Sequence, residues 1–235
     1  MSIDFLTKAR QNHGQATLGE LLEVQSQSHP DKEALIFQHR QQSLTFGQLA
    51  DSAYKVAAAL LALGVSRQEH AALWAPNLPA YLSIVFGCAK AGVPLVLVNT
   101  NYQSFELQQV LQQTNVTTLF IAGGALLPDE YLRMLQEICP ELSADTPGSL
   151  QTARLPSLRR IIFLGEESQP GMFSWPEFLA LAAQMTSEQV QEREKQVQPG
   201  DPFLIQHTSG TTGMPKGAVL AHACYSLTIS TIIEC

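Results

Sequence analysis

Apolar residues recur along this chain in two alternating rhythms. Leu18, Leu21 and Leu22 form a short helical pattern, and Ser28-His29-Pro30-Asp31 is a turn cluster. Ala34–Phe37 and Leu44–Phe46 then read as strands. Thr45 with Gln48 is a capping box opening a helix whose apolar positions Leu49, Ala53, Val56, Leu60 and Leu63 step by four and three until Gly64. Beyond it the spacing predicts a strand at Ala71–Trp74, a helix capped by Asn77 and stopped at Gly92, and a buried strand over Val93–Val98. A helix capped by Ser104 and a strand at Thr118–Ile121 follow. Next come a helix over Glu130–Ile138, a turn-rich loop around Ser143–Thr152, a strand at Arg160–Leu164, and a helix opened by the Ser174 and Glu177 capping box that ends near Met185. Short apolar strands alternating with helices predict an α/β fold, a doubly wound, mostly parallel sheet with helices on both faces.

Ser187–Gly200 is polar, mixed in charge and ends in Pro199-Gly200. It reads as a connector, and an amphipathic surface helix is the other reading. The expected organisation is therefore a first subdomain over 1–186, a connector over 187–201 and the start of a second subdomain over 202–235.

The 235 residues are 45% apolar and carry a formal charge of −7, with a pI near 5.3. That is enough apolar material for a core, and the acidic balance argues against nucleic acid or an anionic membrane as partner. No run approaches membrane-spanning length and the first residues lack the apolar centre of a secretory leader, so a cytoplasmic location is expected. Cys88, Cys139, Cys224 and Cys235 form no CxxC and read as reduced thiols.

Chemistry concentrates in Thr208-Ser209-Gly210-Thr211-Thr212-Gly213-Met214-Pro215-Lys216-Gly217, directly after the apolar run Phe203-Leu204-Ile205. Glycines allow positive φ and close backbone approach, so successive amides can face anionic oxygens. Four hydroxyls add donors and Lys216 adds a positive charge. A Walker loop has different spacing and a Ser or Thr after its lysine, where this chain has Gly217. Ser/Thr/Gly-rich segments also make ordinary surface loops, but this string is long and unbroken. Ala218-Val219-Leu220 is strand-like, so the context is strand-loop-strand. The anion would be held by the loop's own groups, with less help from a helix dipole.

The string resembles the phosphate loop of the adenylate-forming superfamily. Thr45–Leu49, Leu63-Gly64-Val65, Ala75-Pro76-Asn77 and Ala89–Pro94 are similar to its early motifs. Val98–Tyr102 with Glu106 and Leu107 is similar to the acyl-CoA synthetase branch, and Pro156–Arg160, Trp175 and Pro199–Pro202 resemble a medium-chain fatty-acyl-CoA ligase. The resemblance implies a two-step reaction: a carboxylic acid and ATP give acyl-adenylate and pyrophosphate, and CoA then displaces AMP. It assigns Thr208, Ser209, Gly210, Thr211, Thr212, Gly213, Met214, Pro215 and Lys216 to the ATP phosphates, and a medium-chain fatty acid as substrate. Mg²⁺ is implied, with no evident ligand in this stretch.

Three departures stand out. Where the superfamily has Ser/Thr-His-x-Asn, this chain has Ala221-His222-Ala223-Cys224; His222 is a candidate pocket residue or a strand-end residue with a satisfied ring. His207 stands where an aromatic is common, and Gln68-Glu69-His70 replaces a Gly-Asp turn. The adenine, ribose and hinge motifs and the C-terminal lid with its lysine have no counterpart before Cys235. The expectation is an N-terminal, truncated portion of a ligase, inactive alone and able to associate with a complementary C-terminal fragment. The alternative is a stand-alone, non-catalytic nucleotide- or partner-binding module.

Overall fold

The computed structural model describes residues 15–37, 42–123, 130–144, 146–208 and 216–234. It opens with helix α1 (Leu18–Ser28), the antiparallel pair β1 (Glu33–Phe37) and β2 (Gln42–Thr45), and helix α2 (Phe46–Ala62). Then follow β3 (His70–Trp74), α3 (Pro79–Ala91), β4 (Leu95–Leu97), α4 (Ser104–Gln113), β5 (Val116–Ile121), α5 (Glu130–Ile138), β6 (Arg160–Phe163), β7 (Phe173–Ser174) and α6 (Trp175–Ala180). The chain closes with α7 (Ser187–Lys195), β8 (Pro202–Thr208), β9 (Lys216–Ala221) and α8 (His222–Glu234).

Seven strands make one sheet in the order β7-β6-β5-β3-β4-β8-β9, parallel throughout except for the antiparallel pair β8–β9. Successive side chains of a strand point to opposite faces, and the central strands β3, β5 and β6 are buried on both. Leu73, Leu95, Phe120 and Ile162 share one cluster with α2, α3, α6 and α7 through Val56, Ile84, Phe178 and Val190. Trp74, Val96, Leu119, Ile121, Ile161 and Phe163 share the other with α4 and α5 through Leu107, Val110, Met134 and Leu135. The doubly wound sheet read from the sequence is therefore present, with β4 on one side of β3 and β5 on the other. In open α/β sheets ligands bind at such a strand-order reversal, beyond the carboxyl ends of the strands.

Local signals set most element ends. The Thr45 and Ser174 boxes form: Thr45 N–H donates to Gln48 Oε1 at 2.9 Å and Ser174 N–H to Glu177 Oε2 at 2.8 Å. Gly92 closes α3 at φ 64. Two cap assignments shift. The N-cap of α3 is Leu78 instead of Asn77, because Pro79 occupies the first helical position, where its missing N–H is harmless. That of α4 is Gln103 instead of Ser104, whose hydroxyl donates to Glu137 while Glu106 Oε2 accepts the Gln103 amide at 3.1 Å.

Within 187–201, expected as a connector, Ser187–Lys195 is helix α7, opened by a Thr186/Gln189 box and docked by the buried Val190. Arg193 donates to the carbonyl oxygens of Val65 and Ala91, and Glu194 meets the buried ammonium of Lys90 at 3.0 Å. These long-range bonds hold a polar segment in place with few apolar contacts of its own. The segment expected to begin a second subdomain, 202–235, starts with two strands of this same sheet, β8 pairing with β4.

Candidate functional site

β8 carries the phosphate-loop sequence out at the carboxyl edge of the sheet and β9 returns it. The last register pairs of this hairpin are Gln206 with Ala218, His207 with Gly217 and Thr208 with Lys216. Ser209, Gly210, Thr211, Thr212, Gly213, Met214 and Pro215 lie outside the described residues. Their two flanks, Thr208 and Lys216, are thus brought face to face, as the strand-loop-strand reading requires. Lys216 is exposed at the start of β9.

Gly217 permits the hairpin's closeness. A Cβ there would sit 3.2 Å from Ile205 Cγ2 and 3.3 Å from His207 Nε2, so a side chain would displace the imidazole. His207 Nδ1 is buried and has no hydrogen-bond partner among the described residues. Burial lowers the His207 pKa, leaving the ring neutral at pH 7. In the sequence His207 stands out only as a replacement for an aromatic. The usable signal was its position immediately before Thr208, after the apolar run Phe203-Leu204-Ile205.

Neither β8 nor β9 carries an acidic residue. The hairpin brings Thr208 and Lys216 into register at its mouth, on either side of the segment that carries the remaining hydroxyls and glycines of the string. For a divalent cation, no group of three or more His, Cys, Asp or Glu residues is arranged to hold one among the described residues.

The structure places His222 at the start of α8, 1% exposed. Its Nδ1 accepts the Leu18 N–H at 3.2 Å, its ring lies against Phe203 with centroids 4.9 Å apart, and its own N–H donates to the Asp201 carbonyl at 3.3 Å. The proton therefore sits on Nε2. Burial pushes the ring's pKa down to about 4, against the weaker pull of Asp201 and Glu20. Its identified partners belong to the chain itself. Cys88 and Cys139 are buried thiols whose pKa values are raised by desolvation, to about 11 for Cys139, which leaves them protonated and poorly nucleophilic. No helix among the described residues is long and apolar enough to cross a membrane.

The chain is 34% identical over 223 residues to the putative acyl-CoA synthetase YngI of Bacillus subtilis (strain 168), covering 94% of this chain and 40% of that protein. It is 38% identical over 207 residues to the mitochondrial medium-chain acyl-CoA ligase ACSF2 of Macaca fascicularis, covering 88% of this chain and 33% of that protein. Among solved structures, the anthranilate CoA ligase AuaEII in complex with anthranoyl-AMP superposes with a TM-score of 0.74 at 25% identity, over 94% of this chain and 37% of that one. The chain thus spans about a third to two fifths of the length of these relatives, and the aligned stretch is their N-terminal part. The family described as "AMP-binding enzyme" matches residues 22–234, a stretch that includes the whole sheet and the hairpin with its phosphate-loop sequence, and the chain belongs to that family.

Proposed function

We propose that this chain is the N-terminal portion of an ATP-dependent fatty-acid:CoA ligase, and that residues 208–216 are its cradle for the ATP phosphates. The observation that carries the reading is an unbroken phosphate-loop string set between two paired strands at the carboxyl edge of a doubly wound sheet. In this role the amides and hydroxyls between Thr208 and Gly213 orient the β- and γ-phosphates, and Lys216 offsets charge on the departing pyrophosphate. Pro215 restricts the loop by fixing its own φ. Mg²⁺, when bound, neutralises phosphate charge; its protein ligand belongs to the part of the ligase outside this stretch.

The acid we assign is a medium-chain fatty acid, the class in the ACSF2 relatives' name. An aromatic acid is the second reading, supported by the anthranilate ligase that shares this fold. CoA is the second substrate. The ACSF2 relatives are named mitochondrial. Because the chain amounts to 33–40% of its relatives' length, we assign it no turnover alone and a complementary C-terminal fragment as partner. The competing reading, a free-standing nucleotide- or partner-binding module, draws on the edge position of β9, where Val219 is 60% exposed.

Calorimetry of ATP binding to a folded, full-length protein containing this chain tests the cradle. Gly213→Val should abolish binding, since a β-branched residue resists positive φ and fills space a phosphate oxygen needs. Near-normal affinity in that variant would remove the loop from the nucleotide site. Thioester formation by the 235-residue chain with a panel of acids, including octanoate and benzoate, tests the rest; sustained turnover would overturn the partial-ligase reading.

A further inference from the structure

At the opposite edge of the sheet, the amino ends of β3, β5 and β6 border a pocket of about 470 Å³ lined by residues with polar or charged side chains, among them Gln68, Glu69, Asn115, Ser157, Arg159 and Arg160. A strand of β3's five residues, at roughly 3.3 Å each, puts it about 15 Å from the carboxyl edge where the phosphate-loop hairpin emerges. It is therefore separate from the proposed nucleotide site.

The charges inside it are unequal. Arg160 is committed: it meets Glu69 Oε2 at 3.2 Å and donates through Nε to the Leu63 carbonyl, while Glu69 also accepts the Ser66 amide. Arg159 donates through Nη1 to the carbonyl oxygens of Pro156 and Leu158, and no carboxylate pairs with it among the described residues. In a chain of formal charge −7, this pocket thus holds one uncompensated guanidinium. Gln68 and Asn115 line it with φ of 67° and 48°, the two non-glycine residues in left-handed backbone among those described. Such conformations are disfavoured and concentrate at ligand sites.

A second cavity of about 210 Å³ adjoins the first and shares Asn115 and Ser157 with it. Leu111, Val116, Leu155, Pro156 and Leu158 make this slot predominantly apolar. A cationic polar compartment joined to an apolar one, in the size range of small-molecule pockets, is complementary to an anion carrying a short hydrocarbon tail. We propose that this pair of cavities binds an apolar-tailed anion, with its carboxylate or phosphate head at Arg159, Asn115 and Ser157 and its tail in the Leu111–Leu158 slot.

Amide shifts of the 235-residue chain, titrated with octanoate, octyl phosphate and acetate, provide the test. We expect octanoate or octyl phosphate to shift the amides of Asn115, Ser157 and Arg159 saturably, and to bind about tenfold or more tighter than acetate. Arg159→Ala should weaken that binding about tenfold, and because Arg159 is exposed the variant should fold normally. Tighter binding of octanoate identifies a free acid as the occupant class, and tighter binding of octyl phosphate a phosphate-headed one. Equal affinity for acetate, unchanged binding in Arg159→Ala, or shifts confined to the carboxyl edge around His207 and Lys216 would overturn the proposal. The last of these would locate the amphiphile at the ligase site instead, leaving that reading intact.

Discussion

His222 Nδ1 accepts the backbone N–H of Leu18 across 204 positions of sequence, at 3.2 Å. One neutral ring thereby joins the first turn of α1 to the start of α8, and its neutrality sets a pH limit. With a folded-state pKa near 4 against an ordinary value of 6.5, protonation favours the unfolded chain. The stabilisation is fully present above pH 6.5 and is lost progressively as pH falls through about 4. Urea unfolding between pH 7 and pH 4 should show the wild type losing up to about 3 kcal/mol more than His222→Asn, which retains an acceptor but cannot titrate. Parallel pH profiles for the two proteins would contradict a buried neutral ring.

Gly87 is where α2 and α3 approach most closely among the glycine contacts. A Cβ there would lie 2.5 Å from both Cβ and Cγ1 of Val56 and 2.9 Å from the Ala53 carbonyl oxygen. Gly87→Ala should therefore destabilise by about 1–3 kcal/mol, although alanine is the better helix former by about 1 kcal/mol. Adding Val56→Ala should recover part of the loss by removing Cγ1, leaving the clashes with the Cβ of residue 56 and with the Ala53 oxygen. Additive effects of the two substitutions in denaturant unfolding would rule out the contact.

Lys90 is 4% exposed, with Nζ 3.0 Å from Glu194 and 3.3 Å from Glu23. Removing the ammonium strands the Glu194 carboxylate, which is only 20% exposed, while Glu23 at 49% can rehydrate. Lys90→Met should cost about 3 kcal/mol, and Lys90→Met with Glu194→Gln appreciably less, because an unpaired buried charge costs more than a missing pair. The order of the two melting temperatures decides the matter.

Where the sequence was legible, the controlling interaction was local. Thr45 with Gln48 and Ser174 with Glu177 sit three positions apart, and Gly92 ends α3 through its own backbone. The α7 helix escaped a firm reading because Val190 alone is buried in it; its remaining anchors, Arg193 on Val65 and Ala91 and Glu194 on Lys90, span about a hundred positions or more. The depth of Lys90 and the tie from His222 to Leu18 were hidden for the same reason. The phosphate-loop string could be read because its donors are contiguous. The position of its hairpin beside β4 depends on strand order, which no local pattern encodes.

Lys216 opens β9 opposite Thr208. If it faces pyrophosphate, its charge matters while pyrophosphate is leaving and no longer matters once the acyl-adenylate stands alone. In a full-length ligase carrying this chain, Lys216→Ala should slow adenylate formation by about 10²–10³-fold, the usual cost of losing one preorganised donor to developing charge. Affinity for a pre-made acyl-adenylate should change by less than about fivefold, the range expected for an exposed charge once pyrophosphate has left. ATP–pyrophosphate exchange gives the first quantity and calorimetry with the adenylate gives the second. Equal losses in both would place Lys216 on the nucleoside or acyl side of the site, or in a purely structural role, and would break the assignment of residues 208–216 to the departing phosphates.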